Sequence, residues 1–347
     1  MAEGIIYLFK TKESLVIKAH HPKQPPPLLR MIVLLFSMVC GIYIFSISIK
    51  QTTYFRDTYL LSVNLFSNPC QSSSKIDKND LPYVHFPKPK TFLREECVCN
   101  PVRNFAIISM QRSGSGWFET LMNSHINVSS NGEIFGAKYR RSNVSMLYKT
   151  LDSVYNLDWF SSASKNECSA AVGFKWMLNQ GFMEYHEEIE EYFKKRGVHA
   201  IFLFRRNHLR RMISLFANNY DKDVKVLNGT HKSHVHSPHE AKVLAKYKPI
   251  VNATFLVSDL QKAERKTARV LEYFKNTRNI VLYYEDIVRN SDKLMEVQDF
   301  LKLPRRNLTS NQVKIHTASL SEQIENWEEV QKTLKGTAYE IYLKNDY

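Results

Sequence analysis

From residue 104 onward, the chain alternates between continuous apolar runs and amphipathic stretches. The apolar runs have the length and composition of buried strands, and they cover residues 105–110, 171–177, 199–205 and 279–285. The amphipathic stretches repeat apolar residues at helical spacing, and the two faces that they predict contain Tyr185, Ile189, Tyr192 and Phe193, then Leu256, Leu260, Ala263, Val270, Leu271 and Phe274. This alternation predicts one α/β domain around a central, mostly parallel sheet flanked by helices.

An uncharged apolar segment at residues 31–49 precedes this domain. Its 19 residues approach the ~20 that a helix needs to cross a bilayer. Five basic and two acidic residues lie before it, so the positive-inside rule places residues 1–30 in the cytosol. We expect a transmembrane signal anchor over residues 31–49, a stem over residues 50–103 and a lumenal domain over residues 104–347. A cleaved signal peptide would have a shorter apolar core and a small-residue cleavage site, which does not follow Ile49.

The C-terminal part of the chain carries residues that suit the lumen of the secretory pathway. Five N-glycosylation sequons begin at Asn127, Asn143, Asn228, Asn252 and Asn307. Four cysteines follow the anchor and are able to form disulfides there, in pairs that spacing leaves open: Cys70, Cys97, Cys99 and Cys168. Both features support a lumenal domain without deciding it.

The first apolar run leads through a loop of small residues into an amphipathic helix that starts near Trp117. Glycines and serines in this loop allow backbone N–H groups to turn inward, and the helix N-terminus adds the positive end of its dipole. The pattern predicts a phosphate-binding loop, with candidate donor-binding residues Arg112, Ser113, Gly114, Ser115, Gly116 and Trp117. It lacks the GxxxxGK[ST] motif of nucleoside triphosphatases, because Gly116 is followed by Trp117 and Phe118.

A second motif, which is a cluster of basic residues, follows the third apolar run. Arg206 comes at the predicted strand end, and Ser214 lies eight positions later on the next helix. We expect both side chains at the edge of the sheet that carries the phosphate loop, where they would clamp a phosphate dianion. Arg205, Arg210 and Arg211 add positive charge to this cluster.

Together, the two motifs resemble the donor-binding signature of sulfotransferases. The resemblance covers about residues 104–327 and is greatest to membrane-anchored, Golgi-type members, in the branch related to the bacterial nodulation sulfotransferase and its plant counterparts. It implies a P-loop-like sulfotransferase fold, a single-pass type II Golgi protein, and 3′-phosphoadenosine 5′-phosphosulfate (PAPS) as donor with no metal. Arg112 stands where the soluble members carry Lys, a change also seen in carbohydrate-modifying members.

Sulfuryl transfer to a hydroxyl needs a base opposite the leaving phosphate and cations near the developing charge. Glu133 lies where related carbohydrate sulfotransferases have a catalytic Glu, so the resemblance implies that it is the base. Lys175 lies in an apolar strand, where a buried ammonium needs an anionic partner, and we assign it to contact with the sulfuryl group or the substrate. Lys314 and His316 are candidates for closing over the 3′-phosphate, and Trp327 for packing near the adenine.

The chain has 48 basic and 34 acidic residues, hence a formal charge of +14 and a pI near 9.4. Such an excess indicates a polyanionic partner. A lumenal domain meets no nucleic acid, so the charge favours a doubly phosphorylated donor and a bias toward acidic acceptors. The sequence therefore predicts transfer of a sulfuryl group from PAPS to a hydroxyl of a glycan, a secreted polypeptide or a small molecule.

Two other functions remain open on the sequence. Asp221 and Asp223 form a DxD triplet, which in type II Golgi glycosyltransferases holds manganese and a nucleotide sugar, although there it closes an apolar strand. A noncatalytic phosphate-binding membrane protein would need the loop alone. Four clustered histidines have the chemistry of metal ligands, but a solvated loop is the simpler interpretation of His231, His234, His236 and His239.

Overall fold

The computed structural model describes residues 31, 34–46, 77–165 and 168–344. Residues 34–46 form helix α1, which is exposed apart from half-buried Cys40. Within the described residues, no helix combines the length and the apolar character needed to span a membrane. The predicted cytosolic tail, residues 50–76 of the predicted stem, which include Cys70, and part of the segment 31–49 lie outside the described residues, so the anchor stays a prediction.

A second compact unit of the chain spans Cys70–Tyr347. Its strands are β1 (Arg103–Ser109), β2 (Val128–Ser130), β3 (Ala171–Met177), β4 (Val198–Phe204) and β5 (Asn279–Tyr283). Its helices are α2 (Ser115–Ser124), α3 (Val144–Tyr155), α4 (His186–Lys195), α5 (His208–Val224), α6 (Pro238–Leu244), α7 (Ala253–Tyr273), α8 (Tyr284–Arg289), α9 (Asp292–Phe300), α10 (Leu320–Gln323) and α11 (Trp327–Leu334). Short helical turns occur at Lys78–Tyr83, Ile134–Gly136, Lys138–Arg141, Leu178–Phe182 and Glu340–Leu343.

The five strands form one parallel sheet in the order β2-β3-β1-β4-β5. At its centre, Ile107 of β1 lies opposite Lys175 of β3 on one side and Ile201 of β4 on the other. The four predicted strands are present, which confirms an α/β domain with a central parallel sheet flanked by helices. The sequence does not predict β2, because three residues with one apolar side chain give too weak a pattern.

Helices cover both faces of the sheet. Ala106 and Ile108 of β1 belong to a core shared with α3, α4 and α7, while Phe105 and Ile107 belong to a core shared with α2, α8 and α9. Successive strand residues face opposite sides, so a strand covered on both faces has a continuous apolar sequence. The edge strand β5 differs from the prediction of a buried strand, since only Leu282 in it is buried.

The two predicted helical faces point into the cores. Ile189, Tyr192 and Phe193 of α4 are buried in the first core, and Tyr185 packs against it from the helix N-terminus. Helix α7 and its C-terminal cap contribute the second predicted face, with buried Leu256, Leu260, Ala263, Val270 and Phe274 and partly buried Leu271. Both helices therefore form where the apolar spacing predicts them.

Residues 77–102 fall in the predicted stem, and they pack on the α/β unit. Asp80 accepts a hydrogen bond from Nη1 of Arg278 at 2.8 Å. A disulfide joins Cys97 to Cys168 across 71 residues of sequence. This part of the chain is therefore tied to the domain whose sheet begins at residue 103.

Candidate active site

A cleft opens at the carboxyl ends of the strands, and every strand brings a residue to its wall. Glu133 follows β2, Arg205 follows β4 and Tyr284 follows β5. Met177 ends β3, and Gln111 belongs to the loop after β1. In parallel α/β sheets, ligands bind at this edge, where connections on either side of the central strand diverge.

The loop after β1 has left-handed backbone at two residues. Arg112 has a φ of 64° and Gly114 a φ of 83°, after which α2 begins at Ser115. A Cβ on Gly114 would lie 2.3 Å from the ring of Tyr284, so the backbone angle and the close ring both demand glycine. As in any α-helix, the first N–H groups of α2 lack carbonyl partners within the helix, and Ser115 and Gly116 line the cleft there. The loop therefore offers a site for an anion.

Arg112 connects this loop to helix α5 and to the segment beyond it. Its Nε donates to Ser214 Oγ at 3.0 Å, and its Nη1 donates to Asn218 Oδ1 at 3.3 Å and to the Ser233 carbonyl at 2.8 Å. Burial and the neighbouring Arg205 lower the pKa of Arg112 to about 10, which leaves it charged at neutral pH. All three acceptors are neutral, so the charge of Arg112 is available to an anion.

Arg205, rather than the predicted Arg206, lines the cleft together with Ser214. Arg205 is 9% exposed, and its Nε lies 3.7 Å from the buried carboxylate of Glu285. The guanidinium of Arg206 is half-exposed and forms a two-pronged pair with Asp286. Adjacent residues at a strand end project to opposite sides, so the two arginines do not share one cleft. The structure therefore places Arg205 with Ser214 in the cleft wall, whereas Arg206 lies outside it.

The ammonium of Lys175 lies between two carboxylates. Its Nζ is 3.2 Å from Glu119 Oε2 and 3.3 Å from Glu133 Oε1. Lys175 and Glu119 are buried, whereas the side chain of Glu133 is 41% exposed and lines the cleft. Gln180 Nε2 donates to the other oxygen of Glu133 at 2.7 Å. Lys175 thus has the anionic partners that burial of its charge requires.

Two segments, residues 231–236 and 311–316, are joined by an antiparallel bridge, and we call them the flap. The flap lines the cleft through residues that include His234 and Lys314. His234 lies against the phosphate loop, since a Cβ on Gly116 would meet its Nε2 at 2.3 Å. Part of the histidine-rich segment therefore belongs to the cleft rather than to a solvated loop.

Two flap histidines are neutral at pH 7. Burial, with Lys175 and Arg112 nearby, lowers the pKa of His234 to about 4, although the exposed edge of this residue lets solvent moderate the effect. Burial, with Arg112 and Arg205 nearby, lowers the pKa of His316, which also lines the cleft, to about 4. The positive field of the cleft therefore comes from its arginines and lysines.

Besides Arg206, the predicted residues Ser113 and Trp327 lie outside the cleft wall. Ser113 is fully buried. Trp327 packs against a third core that includes Leu209 and is not among the residues that line the cleft. Trp117 lines the cleft instead, with the ring of Tyr284 edge-on at 5.7 Å. The aromatic wall of the cleft is thus built from the phosphate loop and the end of β5.

Neither aspartate of the DxD triplet lines the cleft. Asp221 is buried in α5 and accepts hydrogen bonds from His231 Nδ1 at 2.8 Å and from the backbone N–H of Val226 and Lys232 at 3.1 Å. Asp223 is exposed. Asp221 therefore fastens the chain that follows α5. Across the part of the chain that the structure describes, no group of three or more His, Cys, Asp or Glu side chains is arranged to hold a metal ion.

The pattern of the sequence does not distinguish Glu119 or Tyr284 as site residues. Glu119 lies in an amphipathic helix, where an acid is usually on the solvent side, and only the buried cation Lys175 signals that carboxylates must approach it. Tyr284 falls inside a predicted strand, residues 279–285, whereas the strand ends at Tyr283 and Tyr284 begins a helix at the carboxyl edge.

No family model matches the chain, and no curated protein matches it. Among solved structures, it is similar to the sulfotransferase domain from the curacin biosynthetic pathway, with 14% identity and a TM-score of 0.33 over 69% of this chain and 88% of that one. It is also similar to a sulfotransferase from Alicyclobacillus acidocaldarius, with 11% identity and a TM-score of 0.36 over 70% and 98% of the two chains. A third similar structure is the mouse sulfotransferase SULT7A1 complexed with PAP, with 13% identity and a TM-score of 0.33 over 70% of this chain and 75% of that one. These three solved structures are sulfotransferases.

Proposed function

We propose that the chain is a sulfotransferase that moves a sulfuryl group from PAPS to a hydroxyl of a glycan, a secreted polypeptide or a small molecule. One observation carries the proposal: a single cleft contains a phosphate loop whose Arg112 is bonded to Ser214, and a Lys175 that is paired with Glu133. The first pair suits a doubly phosphorylated donor, and the second suits deprotonation of an acceptor.

The chemistry of the cleft residues fits the groups of PAPS. The N–H groups at the start of α2 and the guanidinium of Arg112 suit the 5′-phosphosulfate. Arg205 and the hydroxyl of Ser214 suit the 3′-phosphate, and the rings of Trp117 and Tyr284 suit a purine. The proposed donor-binding residues are Arg112, Ser115, Gly116, Trp117, Arg205, Ser214 and Lys314.

PAPS supplies the sulfuryl group, and transfer joins its sulfur to the acceptor oxygen while the bond to the 5′-phosphate oxygen breaks, giving a sulfate ester and 3′-phosphoadenosine 5′-phosphate (PAP). Glu133 takes the hydroxyl proton, since its carboxylate is exposed to the cleft and fixed by Gln180. Lys175 and Arg112 stabilise the negative charge that develops on either side of the transferred group. In this proposal the side-chain cations fill the role that Mg²⁺ has in nucleoside triphosphatases, and no metal takes part.

We also propose that the chain is a single-pass type II protein of the Golgi membrane, anchored by residues 31–49. The uncharged segment and its basic N-terminal flank support this topology. The disulfide between Cys97 and Cys168 supports an oxidising compartment for the domain. The sequon residues Asn143 and Asn252 are exposed at the N-termini of α3 and α7, where an oligosaccharide can be attached.

The donor part of the proposal is tested with the full-length protein in detergent and ³⁵S-labelled PAPS. We expect micromolar or tighter donor binding, and transfer of label to a fraction of secretory-pathway glycans and glycoproteins. Arg112→Ala and Arg205→Ala should each weaken donor binding by roughly 10- to 100-fold, because each removes a charge-assisted hydrogen bond worth about 1.5–3 kcal/mol. Arg305→Ala is the matched control, since Arg305 pairs with Asp299 on the surface.

Unchanged binding in the double variant of Arg112 and Arg205 would sink the proposed donor site. Turnover should also survive EDTA, because no metal takes part in the proposal. Metal-dependent binding of a UDP-sugar in place of PAPS would instead support the glycosyltransferase alternative.

A further inference from the structure

Glu119 is a buried carboxylate that the proposed reaction does not use. It lies in α2, the helix that begins at the phosphate loop, and is 7% exposed. Its Oε1 accepts hydrogen bonds from Ser130 Oγ at 2.8 Å and from the backbone N–H of Gly132 at 2.9 Å. Its Oε2 lies 3.2 Å from Lys175 Nζ. A carboxylate buried at this depth, with every oxygen engaged, indicates a specific task rather than a solvated helix face.

The partners of Glu119 belong to three different elements. Ser130 ends β2, Gly132 immediately precedes Glu133, and Lys175 lies near the carboxyl end of β3. Gly132 has a φ of 75°, so the direction of the chain into Glu133 depends on a left-handed residue whose N–H is held by Glu119. One carboxylate therefore connects the helix of the phosphate loop to the turn that carries Glu133.

Charge gives Glu119 a second effect. Lys175 lies between the two carboxylates, with Glu119 on the buried side and Glu133 on the side of the cleft. Without Glu119, the buried ammonium would depend on Glu133 for its counter-charge, since an ammonium left unpaired in the interior is strongly unfavourable. The ion pair with Lys175 would then hold Glu133 away from an acceptor.

We propose that Glu119 is a positioning residue: it fixes Gly132 and neutralises Lys175, so that Glu133 faces the cleft, and it couples this turn to occupancy of the phosphate loop. The role of Glu133 as base rests on the proposed function. The hydrogen bond from the Gly132 N–H to Glu119 does not depend on that function, because it is a property of the folded chain.

The test is hydrogen exchange of the Gly132 amide in the full-length protein, with and without PAP as probe. In the wild type, PAP should slow this exchange, because the phosphate loop and Gly132 are joined through α2. In Glu119→Ala, exchange should be at least ~10-fold faster, and PAP should no longer slow it. Glu119→Gln keeps an oxygen acceptor and should restore slow exchange, while Glu187→Gln, a change at a side chain that is 87% exposed, should match the wild type.

A positioning role also predicts a split between binding and turnover. With labelled PAPS, kcat should fall about 10-fold in Glu119→Ala while the PAP dissociation constant stays within ~3-fold of the wild type, since no donor-binding residue is removed. Unchanged Gly132 exchange in a folded Glu119→Ala protein would overturn the proposal. If Glu119→Ala does not fold, the wild-type measurement decides, because a Gly132 amide indifferent to bound PAP contradicts the coupling. Absence of turnover in the wild type would count against the proposed function and leave the exchange result to decide the role of Glu119.

Discussion

Two histidines that do not line the cleft are held neutral in the interior. His199 is fully buried, and its Nδ1 lies 3.1 Å from the carbonyl of Asn104. Burial, and next to it the charge of Arg278, lowers the pKa of His199 to about 3. Burial, together with Arg211, lowers the pKa of His208 to about 4. Each imidazole is therefore harder to protonate in the folded protein than in the unfolded chain.

This difference predicts that acid destabilises the fold. Since the pKa in the folded state lies below the unfolded value of ~6.5, the unfolded chain binds a proton first as the pH falls. The free energy of unfolding should therefore be highest above pH ~6.5 and decrease as the pH falls toward 4. The expected loss at pH 5 is on the order of 2 kcal/mol for each of His199 and His208. Urea unfolding at pH 7 and pH 5 measures it.

His208→Phe removes one titrating group and keeps a buried ring. Its stability should depend less steeply on pH between 7 and 5 than that of the wild type. Parallel profiles for the two proteins would show that His208 does not contribute to the acid sensitivity.

Single residues also mark the limit of prediction from sequence. Arg112 follows from the loop pattern, because glycine and serine spacing fixes where the backbone turns. The choice between Arg205 and Arg206 does not, because it depends on which of two adjacent side chains faces the cleft at the end of β4, a detail of the twist of the strand. The role of Glu119 is not predicted either, because it depends on a contact with β2, and the sequence does not predict that strand.

At the scale of elements, the flap is in direct contact with the start of α2. Gly116 is in the first turn of the helix, and His234 of the flap occupies the position that a Cβ would take. Gln312 on the other half of the flap donates to the Gly116 carbonyl at 3.4 Å. The flap therefore rests on the same turn that is proposed to bind the donor.

Gly116→Ala should therefore displace the imidazole of His234 and lower the free energy of unfolding by about 1 kcal/mol or less, because the atoms that must move are the far end of an exposed side chain. His234→Ala opens the required space, so the double variant should recover most of the lost stability in a thermal unfolding cycle. Gly136→Ala is the control, because its Cβ would have an ordinary contact at 3.7 Å. Additive losses in the double variant would contradict the packing of His234 on Gly116.

The strands show why most of the fold follows from the sequence. β1, β3 and β4 are buried on both faces and have mostly apolar sequences, which few other structures require. β2 is short, and two of its three residues are polar. The packing of residues 77–102 depends on distant partners such as Arg278 and Cys168, which no local pattern reveals. Local periodicity thus predicts the centre of the sheet better than its margins.

At the scale of the whole molecule, the proposed topology divides the positive charge between two places. The cytosolic tail would orient the anchor, and the cleft would attract anionic ligands through its arginines and lysines. The cleft contains Arg112, Lys175, Arg205 and Lys314 among its wall residues. A sequence-wide charge excess is therefore compatible with two separate local functions.

The topology predicts that a C-terminal tag is protected from protease in intact microsomes and that endoglycosidase increases the gel mobility of the protein. Both results follow if the domain enters the lumen, where sequons are glycosylated. Detergent should expose the tag to protease, which controls for its intrinsic sensitivity. A tag that is digested without detergent would contradict a lumenal domain.

The contribution of all five strand ends to one cleft has a consequence for how the protein matures. A chain synthesised only as far as β4 lacks Tyr284 and the flap residues 311–316, so its cleft is incomplete. A ligand that needs the whole wall binds the finished sheet and not its precursors, and it stabilises that state by mass action. Such a ligand would act as a pharmacological chaperone. If the ligand is coupled to an affinity resin, retention of the protein on that resin would report that the last strand has been added.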